Sequence, residues 1–403
     1  MNFWLSGNIL WDLRATGTIP GLDDLVAAAR RSIYVNPLPS VEIEMDIAIQ
    51  PLSSDGYLWQ RSERFWFADG DIILSAQLTE NARKLYRVHR LRVSVDSTRL
   101  HEALFNVPDN ENMEMYEGLP LYHVMDAALD FETFLTYVYD PQDLQISPYD
   151  SNTCLLYSTL LRVSKTYRMA GLREELSTYL EFVWPSSLEE WDQRTLRYET
   201  IASHYTSTES PEGRYLDDCL AEPIVALRLF REHDLFKHLP SAFYELSLIS
   251  PTADWHAMHE DPGRQSARSR WLLSSRIRSA RWALLTTEDH MCLHKGLRQM
   301  QILSLTMIPP DNELCLAPPC VHGRLYIQLV ILHEINRFRD VLGILRYYCQ
   351  DQAKQTMLRE GVCAECVQKI GDFMRKKRQH IFDNLAHFFD LPSPRGNTST
   401  DTA

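Results

Sequence analysis

Long apolar runs are missing from this chain of 403 residues. No stretch approaches the ~18 consecutive hydrophobic residues that span a bilayer, so no transmembrane helix is expected. The opening segment, MNFWLSGNILWDLRATG, sets no basic region before its apolar positions and carries Asp12 early, so no secretory leader is expected. Positive charge is in deficit: 41 Lys and Arg stand against 54 Asp and Glu, a formal net charge of −13. That balance argues against a general nucleic-acid binder, because affinity for phosphate comes from clustered cations. Catalytic signatures are missing as well. There is no glycine-rich phosphate loop, no G-x-S-x-G elbow and no kinase motif set, so a non-enzymatic role is expected. No fixed-period repeat is visible. Cysteine is sparse, at 8 residues of which only two pairs are closely spaced. Such usage fits a reducing, intracellular compartment, cytoplasm or nucleus, where thiols stay free or bind metal.

What is present is the composition of a soluble globular protein, 45% hydrophobic and 24% charged. The length predicts two domains with disordered ends. Residues 1–63 read as a poorly structured extension, in which Leu22–Arg31 has the charge order of a short helix and Val41–Ile49 alternates like an edge strand. Residues 64–185 read as an α/β (α+β) domain. Phe65–Phe67 and Asp71–Ala76 predict a strand pair or one kinked strand bent at Gly70. Tyr86–His89 alternates as a half-buried strand. Leu91–Phe105 predicts two short helices with Ser97 as cap, and Leu119–Val124 a strand. Phe131, Phe134, Leu135 and Val138 mark one helix face, followed by helices over Leu156–Tyr167 and Leu172–Val183 with a stop at Gly171.

Residues 186–392 read as all-α. The pattern predicts helices over Leu188–Tyr198, Tyr215–His233, Leu239–Ile249, Arg270–Trp282, Glu288–Leu303, Gly323–Cys349 and Cys366–Phe389, with a linker at His204–Gly213. Leu325, Leu329 and Leu332 are expected on the buried face of the first of the last two, and Met374, Ile381, Leu385 and Phe388 on that of the second. Residues 393–403 are expected to be disordered.

Several of these features occur in a familiar order. Asp71 begins an apolar strand, a second strand ends in Val88-His89-Arg90, and a Phe-x-x-Phe-Leu-x-Tyr-Val-Tyr helix follows a later short strand. Together they resemble the BTB/POZ domain, and Arg64-Phe65-Trp66-Phe67 running to Asp71 is similar to the opening of the large BTB family of mushroom-forming fungi. The residues after Val88-His89-Arg90 and the Asp140-Pro141 turn depart from that pattern. The resemblance implies a short sheet with helical hairpins used for homodimerisation or partner docking, with Asp71 and Arg90 lining a charged pocket of the groove. Physically, the same two residues read as a half-exposed ion pair. Met115-Tyr116-Glu117 has the hydrophobic-x-Glu pattern with which BTB adaptors meet a cullin scaffold, so a ubiquitin-ligase substrate adaptor is an alternative reading.

The sharpest chemical signal is in the cysteines. Cys315-x4-Cys320 lies in a proline-rich turn and Cys363-x2-Cys366 at the start of the last long helix. Two such pairs can converge as four thiolates on one Zn²⁺ in a structural site, or they can be four separate buried thiols. Paired cysteines near the C-terminus also look like those of the fungal BTB family. His322 is a possible substitute ligand, whereas Cys154, Cys219, Cys292 and Cys349 read as core. His290 and His294 share a helix face without the H-E-x-x-H order, His256 and His259 have no better case, and His89 reads as a satisfied core histidine. Arg264–Trp282 carries six arginines and no acid, interleaved with Trp271 and Trp282. It reads as an amphipathic helix meeting an acidic face of the protein, or as the DNA contact of a transcriptional regulator. Arg375–Arg378 reads as a solvated basic face. Between Arg99 and Arg162 eleven acids occur without one Lys or Arg, an edge expected to steer basic partners.

Overall fold

The structure, a computed structural model, describes residues 58–105, 114–144, 147, 150–207, 216–259, 278–309 and 314–392. Leu22–Arg31, Val41–Ile49, residues 264–277 and the tail 393–403 lie outside the described residues. Among the described residues no helix is long and apolar enough to cross a membrane. The described residues fall into two compact units, 58–179 and 180–392.

The first unit is built on a five-stranded mixed sheet: β1 (Leu58–Trp66), β2 (Ile72–Thr79), β3 (Ala82–Val88), β4 (Met115–Tyr116) and β5 (Leu119–Ala127), in the order β1-β3-β2-β5-β4. Strand β1 already starts at Leu58, ahead of the expected domain start at residue 64. It does not pair with β2 as the aromatic triplet suggests. Instead β3 lies between them, parallel to β1 and antiparallel to β2. The turn that carries the chain across brings Gly70 against β3, where an added Cβ would press on Arg87 and the backbone of Val88. Gly70 is therefore set by close approach rather than by a positive φ.

Strand β2 is central and buried from Ile72 to Ala76, which is why its sequence is a continuous apolar run. Ile73, Leu85 and Leu121 form one face under Trp59, Trp66 and Tyr116. The other face meets α3 (Ala128–Tyr139), through rings linked Tyr86–Phe131 at 5.1 Å, Phe131–Phe134 at 5.6 Å and Phe134–Tyr167 at 4.5 Å. Phe131, Phe134, Leu135 and Val138 are all buried, as their spacing predicts. Helices α1 (Arg90–Val95) and α2 (Thr98–Phe105) meet at Ser97, whose Oγ accepts from Leu100 N and donates to the Tyr167 carbonyl. Next come α4 (Thr153–Thr166) and α5 (Ala170–Val183). The stop between them is Arg168, at φ 54°, and not Gly171, which lies in the first turn of α5. Met169 N reaches back to Ser164 O at 2.9 Å, closing the end of α4.

The second unit is helical. Helix α6 (Leu188–Ser207) runs past the expected end at Tyr198, so residues 204–207 of the expected linker are helix. The expected helix over Tyr215–His233 is instead a short 3-10 turn followed by α7 (Pro223–Glu232), because Pro223 starts a new helix capped by Glu222. Then follow α8 (Leu239–Ser247), α9 (Trp255–His259), α10 (Thr287–Ser304), α11 (Pro318–Phe338), α12 (Val341–Tyr348), α13 (Asp351–Arg359), α14 (Ala364–Asp383) and α15 (Leu385–Phe388). Arg339, at φ 58°, splits the long helix expected over Gly323–Cys349. Its buried face is Ile327, Ile331 and Ile335, whereas Leu325 and Leu329 point to solvent and Leu332 is half-buried. In α14 and α15 the expected Met374, Ile381 and Leu385 are buried, with Phe389 rather than Phe388 completing the set.

A buried ionic cluster organises this unit. Glu245 accepts from Arg194 Nη1 at 2.9 Å and from Arg278 Nη1, while Arg278 Nη2 donates to Ala221 O at 2.8 Å. Arg194 also lies over the rings of Trp184, Trp191 and Tyr198. Burial alone would raise the Glu245 carboxyl, but the two guanidinium groups outweigh it and bring it down to about 2. Glu245→Ala should strand two buried cations and cost about 3–5 kcal/mol in urea unfolding. Because the folded carboxyl titrates below its unfolded value, its contribution is complete above about pH 4.5 and is lost as pH falls toward 2. Glu245→Gln should flatten that acid limb; an unchanged limb would count against the cluster.

Candidate metal centre

Both cysteine pairs sit at helix N-termini. Cys315 precedes α11, whose first two residues are Pro318 and Pro319, and Cys320 lies in its first turn. Proline suits this place because its missing N–H has no helical partner there. Cys363 is the N-cap of α14 and Cys366 lies one turn in. Two starts meet because the loop before Cys363 turns tightly. Gly361, at φ 88°, ends α13 in the left-handed region, and Val362 N bonds back to Met357 O at 3.0 Å. In α11, an added Cβ on Gly323 would run into the carbonyl oxygen of Glu360. That absent side chain lets the first turn of α11 lie on the loop.

The four thiols converge: their sulfurs all lie within 4.8 Å of one another. Cys315 Sγ is 3.7 Å and Cys320 Sγ 3.9 Å from Cys363 Sγ. Four ~2.3 Å bonds to a tetrahedral zinc imply sulfur–sulfur edges of about 3.8 Å, so these two spacings match. They are far longer than a disulfide bond. Cys315 N donates to Cys366 Sγ at 3.3 Å and Arg324 Nη1 to Cys315 O at 2.7 Å, so the loop is held from both sides. The positive ends of two helices favour negative charge at this point. Burial pushes the Cys320 thiol up to about 12, a penalty that a bound cation would offset. Cys320 and Cys366 are buried, Cys315 is half-buried and Cys363 is exposed. His322 is exposed and does not join the cluster. Of the other cysteines, Cys154, Cys219 and Cys292 are buried and Cys349 is half-buried.

The remaining expected site residues are placed differently. Asp71 and Arg90 do meet, but the Asp71 carboxylate accepts from the Arg90 backbone N–H at 2.6 Å, at the start of α1. The Arg90 guanidinium lies instead over the Phe105 ring. Met115 is exposed on β4, and Glu117 occupies the β4–β5 turn at φ 52° beside Gly118 at φ 77°, the conformation of a tight two-residue hairpin. The Glu117 carboxylate pairs with Arg61.

The acidic run is largely compensated. Arg64 bridges Asp140 and Asp143, Lys84 meets Glu132, Arg162 meets Asp130, Arg168 meets Glu102, and His123 meets Glu114. Sequence reading missed these because every partner lies beyond the run or is a histidine within it. The described arginines of the basic segment also find partners: Arg278 in the ionic cluster, and Arg281 through its backbone N–H to Glu222 and its guanidinium over Trp255. The expected helix does not include residues 278–282, where Ala280 forms a bridge with Asp254. Arg378 is likewise no solvated charge, since it is buried and paired with Asp192. His290 and His294 are exposed on α10, and His89 is half-buried against Tyr139 and Asp69.

One arrangement had no counterpart in the sequence reading. Ser75 Oγ is 2.5 Å from His123 Nδ1, and His123 Nε2 is 2.8 Å from Glu114, the composition of a hydrolytic triad. Ser75 is fully buried in the central strand, however, and accepts a hydrogen bond from Arg83 Nε at 3.0 Å. Its hydroxyl has no open approach, and the network ties β2, β3 and β5 together.

Comparisons with protein-family profiles, with curated proteins and with solved structures found no match. Gly323→Val should force α11 off the Glu360 loop and spread the thiols. Cobalt(II) titration of the full chain should then lose its tetrathiolate absorption, while wild type develops it; equal spectra would reject this packing.

Proposed function

We propose that this chain is a non-enzymatic protein–protein interaction protein, with a BTB/POZ-like first unit that docks partners or a second copy and a helical second unit stabilised by one structural zinc. The sulfur spacing at tetrahedral edge length, with no free coordination position left by four thiolates, is the observation that carries the zinc reading. Four-thiolate sites are closed to substrate, so the ion would hold two helix starts together and supply folding energy.

Support for docking comes from a groove of about 720 Å³ lined by Asp69, Asp71, His89, Leu91, Arg92 and Val95 among others. Leu91 is 68% and Val95 70% exposed, side by side along one turn of α1. Exposed apolar residues rimmed by charge are the usual anatomy of a protein contact.

Elemental analysis of the purified full chain should give one zinc per chain. Cys363→Ser/Cys366→Ser should lose it and unfold the second unit at lower temperature; metal-free wild type would end the zinc reading. Leu91→Glu/Val95→Glu should abolish docking through the groove, seen as loss of a dimer or of captured partner, with zinc content unchanged. Retained association through this unit would end the groove reading.

A further inference from the structure

Cys363 is the one exposed cysteine of the eight: Cys315 and Cys349 are half-buried and the other five are buried. Gly361, Ala364 and Glu365 beside it are exposed as well, so a small solute reaches its sulfur from solvent. That sulfur also has close thiol neighbours, Cys315 Sγ at 3.7 Å and Cys320 Sγ at 3.9 Å. The two neighbours differ in freedom. Cys315 lies in irregular backbone ahead of α11, whereas Cys320 is 2% exposed and fixed in the first helical turn. Cys366, the fourth member, is buried one turn into α14, and its sulfur accepts the Cys315 N–H at 3.3 Å.

We propose that Cys363 is a site of oxidative modification, at which hydrogen peroxide closes a disulfide to Cys315 and so opens the metal centre. Redox-sensing cysteines are accessible and have a second thiol poised to resolve them, and this pair has both properties. In the first step the Cys363 thiolate attacks peroxide: an S–O bond forms, the O–O bond breaks and hydroxide leaves. The Cys315 thiolate then attacks that sulfenic sulfur, the S–S bond forms and the second oxygen leaves as hydroxide. The two sulfurs give up two electrons, which the peroxide takes, and two protons from solvent turn both hydroxides into water. Closure needs the sulfurs to approach by about 1.7 Å, to the ~2.05 Å of a disulfide. Loop backbone at Cys315 supplies that shift locally, whereas Cys320 could supply it only by moving the start of α11.

The consequence follows from the ligand count. Zinc is held by thiolates, and oxidation would leave only Cys320 and Cys366 of a four-coordinate structural site, so the ion departs. A dithiol reductant reverses the step by thiol–disulfide exchange and restores all four ligands. The inference rests on the zinc reading for what is released, while the disulfide itself rests on the sulfur geometry alone.

The test is to treat the full chain, purified under reductant and then desalted, with a small excess of hydrogen peroxide. Differential alkylation with peptide mapping reads the thiols, and a chromogenic chelator reads the zinc. Wild type should lose two of its eight free thiols, gain one Cys315–Cys363 disulfide and release its zinc in step, all reversed by dithiothreitol. Cys315→Ser should leave Cys363 as a sulfenic acid that dimedone captures, because the resolving thiol is gone. Wild type stripped of metal beforehand should form the same disulfide. That disulfide in a chain that never held zinc would end the zinc reading and leave this pairing standing. A zinc-bearing chain whose thiols survive peroxide would overturn the proposal. So would a disulfide from Cys363 to Cys320 or Cys366 in place of Cys315, or equal dimedone capture at Cys363 in wild type and Cys315→Ser.

Discussion

Two helices have to begin at the same point for the C-terminal part of this chain to close. Helix starts repel each other electrostatically, since each presents unpaired N–H groups and a positive dipole end. The start of α11 and the start of α14 nevertheless lie together, joined by Cys315, Cys320, Cys363 and Cys366. Four sulfurs at this junction can act as acceptors, and as thiolates on a bound cation they would also supply negative charge. Gly323 and Gly361 supply the space, one by having no Cβ and the other by its left-handed backbone. The glycines permit the approach that brings the four sulfurs within 4.8 Å of one another.

A second constraint acts deeper in the same unit. Glu245 is buried between two arginines, and such a cluster is poor evidence of added stability, because apolar residues of equal volume often do as well. Its effect is on uniqueness. Arg194 comes from α6, Glu245 from α8, and Arg278 from the strand-like segment that bridges to Asp254. Misplacing any one leaves a charge in an apolar interior, so alternative packings of these helices are penalised. The compensated acidic run of the first unit does weaker work of the same kind. Its ion pairs are mostly half-exposed and individually worth about 0–1 kcal/mol, yet several of them join distant segments.

Local signals were legible in the sequence wherever one residue type had one physical use. The cysteine pairs are such a case in part: their spacing left convergence on one ion and four separate buried thiols both open, and the structure brings the four sulfurs together. The Phe131–Val138 face is another, since all four residues had to be inside together. Ambiguity entered where two choices had the same period. Leu325, Leu329 and Leu332 satisfy helical spacing as well as Ile327, Ile331 and Ile335 do, and periodicity alone does not say which stripe faces the core. Helix ends were misplaced for a related reason. Arg168 and Arg339 adopt left-handed backbone, a conformation for which glycine is the usual signal, so Gly171 drew attention that belonged to Arg168. Strand order was beyond reach of local pattern, since whether β1 neighbours β2 or β3 depends on how the chain crosses at Gly70. The acidic run misled because composition is counted along the chain, while ion pairs form across it.

The phase of α11 connects the cysteine cluster to the exposed stripe. On a helix with ~3.6 residues per turn, positions i, i+7 and i+11 lie on nearly one line, so Cys320, Ile327 and Ile331 share a side. The sulfur that must reach Cys363 and the isoleucines that must reach the core therefore demand the same rotation of the helix. Once that rotation is set at its first turn, Leu325 and Leu329 have nowhere to go but outward. Their exposure is then a consequence of two independent requirements on the opposite side, rather than a local choice. A polar residue would satisfy those requirements equally well at either position. That leucine stands there instead, with neutral neighbours along the same face, leaves an exposed apolar stripe opposite the core side of the helix.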